Sequence, residues 1–465
     1  MILWKRIKEA MLRNPKQMIC ENQAKMTYED MVIFAEIFAK KLKDETCCAI
    51  LCGSEMATAM AILSCFAAEV TAVPLSLKYG EKHCNKMLDM IGPSSVITDV
   101  QGELCLLPLE NPSYKEPQKH PALIMCTSGT TGAPKGAMLS EQNIITNIRD
   151  ILAYFKINQK DRILIARPLY HAAVLTGEFL ASLLAGAEIY FYSDAFNPRK
   201  LLDLIPKKRI TVFGGTPTMI RMMAKFIRAD DVLLPKKIVI SGECMSEEAR
   251  KVVREVFAES DIYYVYGLTE ASPRVSYLPP HLFDKYIDCV GVALDSVTLK
   301  ILRNDGTSAK KGEEGMLWVK GANVMLGYYN DVPQTSKVLK RGWLCTGDIA
   351  MINDIGLLIV KGRSDDLIIK AGMNIYPQEI ENALKEDPRV SDLLVYPVQN
   401  PLLGTQIAMK ISGDFDCIDQ VKKMCKDLLP DFQIPTSIHL VDEIPMNGSG
   451  KVIRDYTISK GEDYE

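Results

Sequence analysis

From about residue 45 to residue 260, short apolar runs of the kind found in buried strands alternate with longer stretches of helical period. CAILCG precedes EMATAMAILSCFAAE, TAVPLSL precedes EKHCNKMLDMI, and SVITDV follows; then come RILIARPL, AEIYFYS, ITVFGG, KKIVISG and DIYYVYG, most with a helical segment behind them. Strands alternating with helices over such a length predict a mainly parallel, helix-covered sheet. Ligands on such sheets sit outside the carboxyl ends of the strands. Motifs that close strands therefore carry more functional weight than motifs inside helices.

After about residue 285 the pattern shortens to two-residue alternation broken by Asp-Gly and Gly turns, as in GVALDSVTLKILRNDG, EEGMLWVKG and GLLIVKGRSDD. This predicts smaller antiparallel sheets. A last block holds NIYPQEIENALKEDPRV, SDLLVYPV, QIAMKIS and a helix through VKKMCKDLL, and ends in a polar, glycine-rich tail. At the other end, MILWKRIKEAMLRNP spaces Ile2, Leu3, Ile7, Ala10 and Met11 like an amphipathic helix. The charged segment KGRSDD has no apolar period and reads as a linker. The expected organisation is a large α/β domain over 1–362, a hinge at 363–366 and a small α+β domain over 367–465.

Composition adds mainly exclusions. The chain has 465 residues, 48% hydrophobic and 24% charged, with a net charge of -3. There is no basic excess of the kind that nucleic acid or an anionic membrane surface requires. Glu69, Glu178 and Glu188 interrupt the longest apolar stretches, a pattern that fits buried helices and opposes a membrane span. The N-terminus lacks the unbroken apolar core of a secretion signal, so the expected location is cytoplasmic. The 13 cysteines show no CxxC pair and the 5 histidines are dispersed, which predicts reduced thiols acting as core filler, without a zinc site or disulfide framework.

The chemistry concentrates at 126–136, CTSGTTGAPKG, directly after the apolar run Ala122-Leu123-Ile124-Met125. A glycine-rich loop behind a strand can turn its backbone N–H groups inward as an anion-binding nest. Thr127, Ser128, Thr130 and Thr131 add hydroxyls and Lys135 adds a point charge, a set suited to a polyphosphate. The spacing is not that of a Walker loop, because Pro134 stands where its second glycine belongs and Gly136 where its Ser or Thr belongs.

TSGTTGAPKG resembles the phosphate loop of the adenylate-forming superfamily, which comprises acyl- and aryl-CoA synthetases, the adenylation domains of peptide synthetases, and luciferases. The resemblance runs in order from MTYEDM to GSGKV. It implies a large domain of helix-covered, mainly parallel sheets with a small β-barrel-like sheet, followed by a small mobile α+β domain. PLYH at 168–171 would place His171 beside the substrate carboxylate. SGE at 241–243 and YGLTE at 266–270 would cradle the nucleotide: Gly242, Glu243 and Gly267 around adenine, Tyr266 stacked on it, Thr269 on the phosphate and Glu270 on magnesium together with Thr130. Gly129, Thr131, Gly132 and the other loop residues would hold the phosphates.

Further along, the resemblance implies that Asp348 of TGD and Arg363 of GRSDD bind the ribose, that Asp365 is the interdomain hinge, and that Gly372 lines the tunnel for the thiol. Lys451 of PMNGSGKVIR would be the catalytic lysine, joining the carboxylate to the α-phosphate. Each of these residues taken alone has a structural explanation, as a core aromatic, a capping acid or a solvated charge; their joint order favours the site.

The implied reaction activates a carboxylic acid with ATP and Mg2+ to an acyl adenylate, releases pyrophosphate, and then forms a thioester on coenzyme A or on the phosphopantetheine of a separate acyl carrier protein. His171, Phe213, Gly214, Thr216, Gly242, Ala271 and Pro273 are the expected pocket residues, a mostly small and apolar lining suited to a fatty or aromatic acid. PLYHAAVLTG lacks the acid that pairs with a substrate ammonium in the amino-acid-activating branch. Amino-acid adenylation, a luciferase-like oxygenase and a non-catalytic nucleotide-binding relative remain as the other readings.

Overall fold

The computed structural model describes residues 2–77, 80–128, 134–227, 235–242, 244–370, 373–400 and 404–444. Helix Ile2–Arg13 buries Leu3, Trp4, Ile7, Ala10 and Met11. Ile2, expected on the apolar stripe, is exposed, and Trp4 takes its place. Positions 4, 7 and 11 fall on one face at 3.6 residues per turn, and residue 2 falls off it. Within MTYEDM, Thr27 and Asp30 form a reciprocal capping box that starts helix Tyr28–Ala39, a cap of about 1 kcal/mol.

Helix Glu55–Ala68 is apolar all round and buries every residue from Met56 to Phe66, as a helix covered on all sides must. It lies between two sheets, and the Glu21 carboxylate accepts from the backbone N–H groups of Glu55 and Met56 at 3.0 and 2.9 Å. A carboxylate there satisfies otherwise unpaired donors and complements the helix dipole.

The larger sheet begins with a parallel part in which Met18–Glu21, Glu188–Phe191, Arg162–Ile165, Val212–Gly215, Lys237–Ile240 and Asp261–Gly267 lie side by side. It continues without a break into antiparallel strands, first Arg274–Leu278, then Cys289–Ala293, Leu358–Arg363, Trp343–Ile352, Gly315–Gly321 and Val297–Leu302. The antiparallel part is thus an extension of the main sheet, and antiparallel pairing starts earlier than the change of texture near residue 285. In the second sheet Ser95–Val100, Cys47–Ile50, Thr71–Pro74 and Leu123–Ser128 are parallel neighbours, edged by antiparallel strands that include Pro134–Leu139 and Gly327–Tyr328.

A separate core of Ile368, Ile375, Ile380, Leu384, Val395, Ile407 and Met409 is built on helices Pro377–Leu384 and Ile418–Leu428 and the strands Val390–Asn400 and Gly404–Gly413. The expected hinge residue Asp365 is exposed in the segment leading to it. Tyr376 donates to Glu314 at 2.8 Å, and Lys361 and Glu379 stand 3.6 Å apart, which ties the last block to the antiparallel strands. None of the thirteen cysteines forms a disulfide. Among the described residues no helix is long and apolar enough to cross a membrane.

Candidate active site

Strands Leu123–Ser128 and Pro134–Leu139 make an antiparallel hairpin with Thr127 opposite Lys135. Gly129, Thr130, Thr131 and Gly132, at its tip, lie outside the described residues, as do the side chain of Ser128 and residues Glu243, Gly372 and Lys451. The Lys135 ammonium stands 5.6 Å over the ring of Tyr328, within cation–π range. Tyr328 belongs to Gly327–Tyr328, the strand paired with the outer side of this hairpin.

The Tyr328 hydroxyl donates to Glu270 at 2.7 Å. Burial, and then the Glu270 charge, push the Tyr328 phenol well above its ordinary pKa, so it remains a donor. The Met325 N–H also reaches the Glu270 carbonyl at 2.9 Å. The segment GANVMLGYYN therefore fastens Glu270 to the hairpin that carries Lys135. Tyr328 was missed as a site residue; the tyrosine pair at the end of that motif was its only signal.

Thr269 and Glu270 sit in a short 3-10 turn, Thr269–Ala271, beyond strand Asp261–Gly267. The chain doubles back tightly there, with Leu268 N–H donating to the Pro273 carbonyl at 2.9 Å. A Cβ at Gly267 would lie 2.9 Å from the Pro273 carbonyl carbon, so only glycine fits the strand end.

Tyr266, the last side chain of that strand before the glycine, donates to Asp348. Asp348 stands opposite Arg363 on the antiparallel pair Trp343–Ile352 and Leu358–Arg363 and receives its Nη1 at 3.2 Å. Arg363 Nη1 also donates to the Thr346 carbonyl at 2.8 Å, and the Thr346 hydroxyl accepts from Asp348 N–H at 3.0 Å. Gly347 turns between them at φ +77°, with Arg363 packed against it.

Burial raises the Asp348 pKa, with Glu270 adding to it, against the pull of Arg363 and Tyr266. Burial also raises Tyr266 well above its usual value, reinforced by Asp348. The result is a largely buried carboxylate whose orientation is fixed and whose remaining lone pairs can accept from a diol. It lies within electrostatic reach of Glu270.

One carboxylate oriented by Tyr328, whose ring lies under Lys135, fits magnesium, a hard cation usually bound by one or two carboxylates and by substrate phosphate oxygens. Among the described residues, no group of three or more His, Cys, Asp or Glu forms a metal cage.

The expected acid-binding residues are only partly brought together. His171 precedes helix Ala172–Val174 with its ring 4.3 Å from that of Tyr170. The Thr216 hydroxyl caps helix Pro217–Ala224 through Met219 N–H at 3.2 Å and packs against Gly242, which has φ +96°. Ala271 is buried and its carbonyl accepts from Asn323 at 2.9 Å. Phe213 and Gly214 are strand neighbours and so face opposite sides of the sheet: Phe213 packs near Gly215, whereas Gly214 abuts Glu178.

The side chains beside Gly214 and Pro273 are charged. Glu178 is fully buried and paired with Arg167, whose Nη1 also donates to Ser241 at 3.2 Å. Arg274, next to Pro273, is buried as well, and burial lowers its pKa. Sequence reading had used Glu178 only as an argument against a membrane span; its partners are distant in sequence and left no local signal.

Residues 7–329 match the AMP-binding enzyme family, and residues 379–451 match the AMP-binding enzyme C-terminal domain. The chain is similar to human mitochondrial medium-chain acyl-CoA ligase ACSF2, at 32% identity over 345 residues, 71% of this chain and 56% of that protein. It is likewise similar to feruloyl-CoA synthase of Amycolatopsis sp, at 32% identity over 340 residues, 71% of this chain and 68% of the other. Its fold matches that of o-succinylbenzoate CoA synthetase from Bacillus subtilis in complex with an acyl-adenylate intermediate, with a TM-score of 0.87, 24% identity and 99% of each chain covered. The match thus spans little more than half of the human relative's length.

Proposed function

The chain belongs to the family of AMP-binding enzymes, and from that premise we propose that it joins a carboxylic acid to ATP, releasing pyrophosphate, and passes the acyl group to the thiol of coenzyme A. The observation that carries this reading is the shared placement of Asp348, held by Tyr266 and Arg363, and of Glu270, held by Tyr328 at 2.7 Å beside the Lys135 hairpin. One half of that arrangement suits a ribose and the other suits a magnesium polyphosphate.

A carboxylate is a poor electrophile because its charge and resonance repel nucleophiles. Attack of its oxygen on the α-phosphorus, with loss of pyrophosphate, converts it into a mixed anhydride whose leaving group is AMP. Attack of a thiolate on the acyl carbon then expels AMP and leaves the thioester. Both anions must first be brought together, so catalysis is mainly positioning and charge neutralisation.

In this chain Asp348 and Arg363 would fix the sugar and Tyr266 would lie along the base. Lys135 and the hydroxyls of the 126–136 segment would take the phosphates, with Glu270 orienting the magnesium ion that neutralises them. Lys451 would bridge the two reacting anions, and His171 would bound the carboxylate. Coenzyme A is favoured as acceptor by the acyl-CoA ligases among the relatives, with a carrier protein's phosphopantetheine as the other acceptor to be assayed.

The experiment is ATP–pyrophosphate exchange with a panel of acids, followed by coenzyme A or a phosphopantetheinylated carrier protein. Acid-dependent exchange with thioester formation on coenzyme A is the expected result. Nucleotide binding without exchange for any acid would overturn the reading.

A further inference from the structure

Buried polar groups normally find partners, yet several that do not are gathered in one place. Among the described residues Arg167 Nε, Glu178 Oε2, Ser182 Oγ, Ser272 Oγ and Arg274 Nε are buried with no hydrogen-bond partner. They belong to the elements expected to bound the acid: the segment before His171, the helix after it, and the turn that carries Ala271 and Pro273. Such a concentration at one boundary is the signature of a polar site.

The local structure is built around these groups. The helix after His171 passes through a π-helical turn, Leu175–Leu180, a distortion frequent at functional sites. Thr176 pins it to the opposite turn by donating to Ser272 O at 2.9 Å as well as to Ala172 O. Two glycines leave room for the charges: a Cβ at Gly214 would come 2.6 Å from the Glu178 carboxyl carbon, and one at Gly177 would come 3.2 Å from Arg274 Nη2. Arg167 spans Glu178 and Ser241, the residue before Gly242.

Among the described residues the charges do not balance: Arg167 and Arg274 face the carboxylate of Glu178, and the Tyr154 phenol is also set against the Arg274 guanidinium. A buried cation lacking a full partner is costly, and two Nε donors remain to be satisfied. An apolar acyl chain would leave that cost in place. An oxygen acceptor at the far end of the acid would remove it.

We propose that the acid is short and carries a second oxygen function, a hydroxyl, keto or carboxylate group, that accepts from Arg274 and Arg167 at the distal end of the pocket. Seven residues of helix separate His171 from Glu178, on the order of 10 Å, which suits an acid of about four to six carbons. Arg167, Glu178 and Arg274 are the specificity-determining residues, and they replace the apolar lining expected from the sequence. This rests on the adenylation reading above and specifies its acid.

The test compares matched acids in ATP–pyrophosphate exchange: butyrate against 4-hydroxybutyrate, acetoacetate and succinate, and hexanoate against 6-hydroxyhexanoate, 5-oxohexanoate and adipate. Decanoate, cinnamate and 6-aminohexanoate complete the panel. The expected result is a kcat/KM at least about tenfold higher for an oxygenated member than for its apolar partner, equivalent to one good hydrogen bond to a charged group. In Arg274→Met that ratio should fall towards one. Measured within one preparation, the ratio does not depend on how much of the variant folds.

Glu178→Gln is the second arm. It removes the competing carboxylate and should move preference further towards the dicarboxylic acid. Higher kcat/KM for hexanoate, decanoate, cinnamate or the amino acid, or an unchanged ratio in Arg274→Met, would overturn the proposal while leaving adenylation standing. Exchange with no acid at all would remove both.

Discussion

The phenol of Tyr266, on the last parallel strand of the main sheet, donates to the carboxylate of Asp348, a residue 82 positions further along the chain on one of its antiparallel strands. The bond couples the residue expected to stack on adenine to the residue expected to hold the ribose. In Tyr266→Phe the ring is kept and only that donor is lost. A hydrogen bond to a charged group contributes about 1.5 to 3 kcal/mol, and much of it here goes into orienting Asp348. AMP affinity should fall about tenfold, measured by titration calorimetry, with the melting temperature little changed. Unaltered affinity would mean that Asp348 is held adequately by Arg363 alone.

The same carboxylate predicts a pH dependence. Asp348 must be ionised to accept two ribose hydroxyls, and burial, with Glu270 nearby, raises its pKa although Arg363 and Tyr266 oppose the shift. Because the folded value lies above the unfolded one, the native state binds the extra proton. Its contribution to stability is therefore present at low pH and is lost as pH rises through the folded value. Nucleotide binding runs the other way and weakens as pH falls through that same value. As pH is lowered, AMP affinity should already begin to fall at a pH above the ordinary aspartate range, and Asp348→Asn should bind weakly with a flat profile. A wild-type profile that stays level down to pH 4 would exclude Asp348 as the ribose acceptor.

Much of this architecture was legible in the pattern of the chain, because strand and helix periods are local. MTYEDM counts in the sequence only as the first stretch of the resemblance, although Thr27 and Asp30 stand at capping-box spacing and cap each other at a helix start. The strand-closing motifs were legible for the same reason: Tyr266 and Glu270 sit where a parallel strand ends. What the sequence could not convey was pairing across distance. Glu178 looked like an interruption of an apolar run, and only the fold brings Arg167, Gly214 and Arg274 against it. Phe213 and Gly214 looked equivalent as pocket residues until the strand's alternation sent them to opposite faces.

Tyr328 makes a prediction about magnesium. Its hydroxyl fixes Glu270 at 2.7 Å while its ring lies under Lys135 at 5.6 Å. Tyr328→Phe keeps the ring and frees the carboxylate to rotate. The concentration of Mg2+ giving half-maximal ATP–pyrophosphate exchange should rise about tenfold or more, as for loss of one hydrogen bond to a charged group, with the KM for the acid little affected. Glu270→Gln should raise it further. A metal requirement that is the same in Tyr328→Phe would show that the Tyr328 bond is structural only.

On the proposed reading the two half-reactions place different demands on the small domain, and Lys451 would separate them. Adenylation gathers negative charge between carboxylate and α-phosphate, where a positioned ammonium stabilises the transition state by about 2.7 to 4 kcal/mol, as for other preorganised donors. Thioester formation starts from an adenylate already made and has no such need. Lys451→Ala should therefore slow adenylation about a hundredfold or more while thioester formation from supplied acyl adenylate is largely kept. Asp365→Pro should do the opposite, because proline restricts the backbone change a hinge must absorb. Asp365 is exposed, in the segment leading to the second core, so its replacement removes no core contact, and a loss confined to thioester formation would report on domain movement. Stopped-flow measurement of pyrophosphate release and of thioester yield from synthetic adenylate resolves the two steps. Equal loss of both steps in Lys451→Ala would contradict its assignment, and two intact steps in Asp365→Pro would remove the hinge.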